Sequence, residues 1–198
     1  MSFTWLAAVA LLHAHVNIGR VDGPHAMPKA DIERVMRAVR RQYRRDAKVK
    51  LWWEWREVKG TETGNYFPDV QALSGYAAIY RDRYWPSIRG GYRPALLIVP
   101  PFIDREGYQY GGGASSLHCA PRWRSGGFGI AAMGDTPRQW DLAPTLLGHE
   151  LGHQLAAVHT REGLMHPNAL TFVQGSKLRH RPRMTLETVR AIRSCLGD

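Results

Sequence analysis

The sequence is short of acidic side chains, of cysteine and of long apolar runs. Asp and Glu number 17 against 27 Lys and Arg in 198 residues, a formal charge of +10. A surface so poor in negative charge attracts anionic partners such as nucleic acid, anionic lipid or acidic wall polymers, although the same charge serves solubility alone. The two cysteines, Cys119 and Cys195, do not form a CxxC arrangement, so motifs built on that spacing are excluded. They are left as one disulfide of an exported protein or as two buried thiols of a cytosolic one. The apolar run Phe3–Leu12 is too short to cross a bilayer. It reads either as the h-region of a signal peptide or as the first element of the fold. No Lys or Arg precedes it, and the one tidy small-x-small site, Ala8-Val9-Ala10, leaves the region very short. Export is favoured over a cytoplasmic location. No repeat at solenoid spacing and no low-complexity tract is present.

What is there suits one folded domain over residues 1–198, with 1–12 as a signal or an N-terminal extension. Hydrophobic residues make up 44% of the chain, enough to exclude disorder by composition, and the length supports a core. From His13 to Val21 apolar residues alternate, with Ala14, Val16 and Ile18 on one side, as in a strand with one buried face. Residues 28–46 read as a helix. Ile32, Val35, Met36, Val39 and Tyr43 form its apolar stripe, and Asp31 and Glu33 sit near its positive end. Its other face carries Arg34, Arg37, Arg40, Arg41, Arg44 and Arg45, a solvated face or a site for an anionic surface or polymer.

Val49–Val58, with Trp52, Trp53 and Trp55, is a second strand. Residues 60–68 are a loop, 69–84 a short helix, and Ala95–Val99 a fully buried strand. Ser115–Ala120 and Phe128–Met133 are further short strands. Asp141–Ala156 is a helix with Pro144 in its first turn, and Thr185–Leu196 is the last helix. This order predicts an α+β (mixed α/β) domain, a mixed sheet with helices packed against it.

The chemistry-bearing segment is His149-Glu150-Leu151-Gly152-His153. Residues four apart on a helix share a face about 6 Å apart along the axis, so two imidazoles there converge on one ion. Glu150, next to the first ligand, reaches a water on that ion without replacing it. His159 follows six residues after His153. On a continued helix it would lie about 9 Å further along and out of reach. It ligates only if the chain turns soon after His153.

The run His149-Glu150-x-x-His153-x-x-Ala156-x-x-His159, followed by Leu164-Met165-His166-Pro167, resembles the signature and Met-turn of the metzincin zinc metallopeptidases. The order of elements before it is also similar. The resemblance implies Zn²⁺ held by His149, His153 and His159, Glu150 as general base and Met165 as the Met-turn residue. It implies a twisted mixed sheet with an antiparallel edge strand, a long first helix, an active-site helix and a C-terminal helix. It further implies an endopeptidase acting on a peptide or protein substrate laid along the edge strand near Ser115–Ala120, with Pro167–Thr171 lining a specificity pocket. His118 lies in that strand segment and is read as an ordinary exposed edge-strand histidine, since zinc already has three candidate ligands; His166 has no ligand spacing. Two departures stand out. Ala156 occupies the place of a glycine whose role is to leave the helix at positive φ, and the link from His159 to Met165 is short.

Two rival readings remain at this level. A zinc peptidase of another class would take Glu187, 34 residues after His153, as third ligand. A basic anion- or nucleic-acid-binding protein would carry a structural or degenerate zinc site.

Overall fold

In the computed structural model the described residues are 10–59, 65–66, 73–89, 93–103, 109–117, 119, 127–167 and 182–197. They build a five-stranded mixed sheet and four helices. The strands are β1 (Leu12–Arg20), β2 (Val49–Arg56), β4 (Pro94–Val99), β7 (Gly112–Ser115) and β8 (Gly127–Ala132), in the order β2-β1-β4-β8-β7. The first four run parallel, and β7 closes the sheet as an antiparallel edge strand on β8. Three two-residue strands, β3 (Asn65–Tyr66), β5 (Phe102–Ile103) and β6 (Gln109–Tyr110), form a small separate sheet. The helices are α1 (Lys29–Ala47), α2 (Leu73–Ile88), α3 (Pro137–Gln154) and α4 (Leu186–Leu196).

The chain crosses the sheet in opposite directions from β1 to β2 and from β2 to β4. Crossovers of one hand therefore put α1 and α2 on opposite faces. The core follows. Ala14, Val16 and Ile18 of β1, with Leu96 and Ile98 of β4, meet the α1 stripe and Leu146, Leu147 and Leu151 of α3. On the other face Ala95, Leu97, Phe128 and Ile130 meet Tyr80, Tyr84 and Ile88 of α2. Strands covered on both sides are apolar throughout, as β4 is.

Two tethers place α3. The hydroxyl of the buried Tyr43 on α1 donates to the Gly148 carbonyl at 2.8 Å. Cys119 and Cys195 form a disulfide with Cα atoms 5.4 Å apart, and the Cys119 backbone also bridges to Leu155 just past α3. The last helix is thereby tied to the end of α3.

Several elements differ from the sequence expectation: Asn65–Tyr66 of β3, inside the expected 60–68 loop, pairs with β5, and β5 and β6 are strands that the residue pattern did not indicate. The edge strand is Gly112–Ser115, earlier than 115–120; His118 and Ala120 lie outside the described residues. Glycines have poor strand propensity, but here a side chain at Gly113 would collide with Glu150. Helix α3 begins at Pro137, so Pro144 is internal rather than in the first turn. Helix α2 runs to Ile88 with Pro86 in its last turn. On α1, Arg34, Arg37 and Arg45 pair with Asp31, Glu33 and Asp46, and Arg40 lies over the Trp53 ring; the basic face is thus partly neutralised. No described helix is long and apolar enough to cross a membrane.

The cross-link closes a long loop, with 76 residues separating its cysteines. Replacing both cysteines by alanine is expected to lower unfolding free energy by about 2–4 kcal/mol, measured by urea denaturation of the oxidised parent and the variant.

Candidate metal centre

His149 and His153 lie one helical turn apart near the end of α3 and are both buried, each 9% exposed. Beyond them the helix stops. Gln154 is its last residue, and Ala156 takes a left-handed conformation with φ of 68°. The Ala157 N–H bonds the Gly152 carbonyl at 2.9 Å, and the Ala156 N–H bonds that of His153 at 3.1 Å. These are the two bonds of a Schellman ending. The reversal brings His159 back toward the helix.

The three Nε2 atoms then stand 3.1, 3.1 and 3.3 Å apart. Hydrogen bonds between them do not explain this spacing for the first two rings. His149 Nδ1 lies 2.8 Å from the Leu164 carbonyl and His153 Nδ1 lies 2.9 Å from that of Ala157. A carbonyl only accepts, so Nδ1 carries the proton and Nε2 presents a lone pair. Neutral imidazoles so paired are oriented as metal ligands. Three nitrogens at Zn–N distances of about 2.0–2.1 Å in a tetrahedral shell are about 3.3–3.4 Å apart. The donor set and its spacing fit Zn²⁺. Among the described residues these three form the group suited to a metal ion.

Burial also keeps the rings neutral. It lowers His149 to about 4, helped by the neighbouring histidines His153, His159 and His166 and opposed by the Leu164 carbonyl. His153 is lowered for the same first reason, with its Ala157 bond opposing. Glu150 is 4% exposed, and burial pushes its carboxyl up to about 8, with Ser115 pulling the other way. A cation on the three histidines would favour the carboxylate.

Met165 is fully buried. Its sulfur stands 2.5 Å from where a Cβ on Gly152 would be, so the glycine between the two helical histidines makes room for it. The Thr160 N–H donates to the Met165 carbonyl at 3.0 Å, which ties the His159 segment to this turn. His166 is half-buried near His149 but is not one of the three grouped histidines. Glu187 is exposed on α4 and outside the group. His118 and residues 168–171 of the 167–171 segment lie outside the described residues. The Leu164 and Ala157 carbonyls were invisible to sequence reasoning, because a backbone acceptor leaves no residue-type signal.

No family model matches this sequence, and no curated protein does. Solved structures match in fold. Metalloproteinase-II from Bacteroides fragilis aligns with a TM-score of 0.60 at 14% identity, over 95% of this chain and 54% of that one. Archaemetzincin from Methanopyrus kandleri aligns with a TM-score of 0.58 at 16% identity, over 94% of this chain and 97% of that one. This chain thus spans about half the length of the Bacteroides chain. At these identities the likeness is one of fold.

Two outcomes are expected. Ala156→Gly relieves a left-handed alanine, a strain of about 1–2 kcal/mol offset by about 0.4–1 kcal/mol of unfolded-chain entropy. Its melting temperature should rise by about 1–3 °C, read by calorimetry on metal-free protein. Glu150 is raised above its ordinary value, so its contribution to metal-free stability is present below pH 4.5 and is lost as pH rises through about 8. Glu150→Gln lacks that loss. Its stability relative to the parent should therefore increase from pH 5 to pH 9; a difference constant with pH contradicts the assignment.

Proposed function

We propose that the protein is a zinc-dependent peptidase of metzincin type, an endopeptidase in which His149, His153 and His159 hold Zn²⁺ and Glu150 is the general base. The observation that carries this is the convergence of three Nε2 atoms at tetrahedral spacing, with the buried Glu150 one residue from a ligand. The fold shared with a metalloproteinase supports it.

Bound Zn²⁺ supplies a Lewis acid that polarises a carbonyl and brings the pKa of water near 7. The protein's part is positional. Backbone carbonyls of Leu164 and Ala157 hold two imidazoles in the ligating tautomer. Met165 packs under α3 as the Met-turn residue. Glu150, in its ionised form, takes a proton from the attacking water and passes it to the leaving amine. Its carboxylate lies against Gly113 of β7. That strand is the antiparallel edge of the sheet, and an extended peptide can add to it by backbone pairing. A peptide bond bound there lies beside both the base and the histidines, and an edge on which no described strand pairs admits chain on either side of the cut. The substrate is therefore a peptide or protein.

The exposed face of α1, with Arg41 and Arg44, is proposed as a contact for an anionic surface or polymer that brings the peptidase to its substrate. Export is proposed for the protein, supported by the Cys119–Cys195 disulfide.

Glu150→Ala is expected to keep one zinc per chain and to lose peptide hydrolysis by roughly 10²–10⁴-fold. His159→Ala is expected to lose zinc itself. Metal analysis with a peptide-library digest, with and without chelator, checks both. Full activity in Glu150→Ala, or full zinc in His159→Ala, would sink the assignment.

A further inference from the structure

The carboxylate of Glu150 sits in a polar pocket whose other members have no part in the mechanism above. Glu150 and Gln154 are one turn apart on α3, and both turn toward the edge of the sheet. A Cβ on Gly113 would stand 2.5 Å from Glu150 Oε1. A Cβ on Gly129 would collide with Ser115 Oγ and stand 2.6 Å from Gln154 Nε2. Gly113 and Ser115 alternate along β7 and so share a face, and Ser115 is the register partner of Gly129. Two glycines thus leave a gap between sheet and helix that three polar side chains enter.

Gln154 is fully buried. Its Oε1 accepts from the Ala95 N–H at 2.9 Å, which settles the orientation of the amide and leaves Nε2 to donate elsewhere. Gln154 Nε2, Ser115 Oγ and Glu150 Oε2 are all buried without a hydrogen-bond partner among the described residues. Ser115 is nonetheless near enough to Glu150 to favour its charge. Buried polar atoms left unsatisfied are rare and costly, and three that adjoin one another point to a network. One order satisfies all three with the carboxyl as acceptor. An amide N–H only donates, a carboxylate only accepts, and a hydroxyl does both.

We propose that Ser115 and Gln154 are positioning residues for Glu150: the Ala95 amide anchors Gln154, Gln154 Nε2–H donates to Ser115 Oγ, and the Ser115 hydroxyl donates to the Glu150 carboxylate. This chain of bonds fixes the rotamer of the base from a main-chain group of β4. The catalytic role of Glu150 rests on the function proposed above; the contact between Ser115 and Gln154 does not.

The test uses zinc-loaded protein. Ser115→Ala should keep its zinc and lose about tenfold in kcat on a peptide substrate with KM within about twofold. Ser115→Thr, which keeps the hydroxyl, should retain about half the parental kcat or more. Ser115→Ala combined with Gln154→Leu should be no slower than the worse single variant, since the two residues act in series. Independently of activity, the Gln154 side-chain amide protons, followed by NMR on ¹⁵N-labelled protein, should exchange with solvent about tenfold faster in Ser115→Ala than in the parent. Parental kcat in Ser115→Ala, or unchanged exchange of the Gln154 amide, overturns the proposal. A parent that hydrolyses no peptide overturns the functional reading instead, and the amide exchange then decides the network alone.

Discussion

Three imidazole nitrogens face one point here only because the chain reverses at Ala156. A helix that ran on would carry His159 about 9 Å past His153. The reversal places a residue with a Cβ in the left-handed region, at a cost of about 1–2 kcal/mol. Two Schellman hydrogen bonds and the burial of Ala157 offset that cost locally. The free energy of a zinc site, on the order of 10 kcal/mol, exceeds it several-fold. The same turn does a second task. It presents the Ala157 carbonyl to His153 Nδ1, so the backbone that brings in the third ligand also selects the tautomer of the second.

The remaining order around the centre comes from close approach. Helix α3 meets the edge of the sheet where Gly113 and Gly129 carry no side chain, and it meets the turn beneath where Gly152 carries none. Each missing methyl is occupied by a functional or supporting group: the Glu150 carboxyl, the Ser115 and Gln154 polar atoms, and the Met165 sulfur. Tyr43, whose hydroxyl also lies near the Gly152 position, holds the helix through the Gly148 carbonyl. The helix is thus located by polar and steric contacts that tolerate little sliding, which suits a site whose ligands must agree to tenths of an ångström.

Much of this was legible in the residues. The apolar stripe of α1 and the alternation of β1 are strong periodic signals, and both elements lie within a residue of their expected bounds. The mixed sheet also follows from the order of elements, whereas its antiparallel edge is implied by the family resemblance alone. The edge strand itself was misplaced by three residues at its start, because Gly112 and Gly113 look like loop until Glu150 is seen beside them. Helix α3 starts earlier than Asp141, because Pro144 mimics a first-turn proline while Pro137 holds the first position. The spacing of His149 and His153 announces a shared face. The convergence of His159 depends on a left-handed alanine, a tertiary outcome that propensity disfavours. The pairing of Cys119 with Cys195 was open in the sequence, since two cysteines 76 apart meet or miss according to topology.

That pairing has a topological consequence. Strand β8, helix α3, the three histidines, Glu150 and Met165 all lie between Cys119 and Cys195. The whole centre therefore belongs to one covalent ring. A single cut in the backbone anywhere in that ring leaves both fragments joined. The three-histidine centre can then outlast nicking for as long as the fragments stay folded and the cross-link stays oxidised.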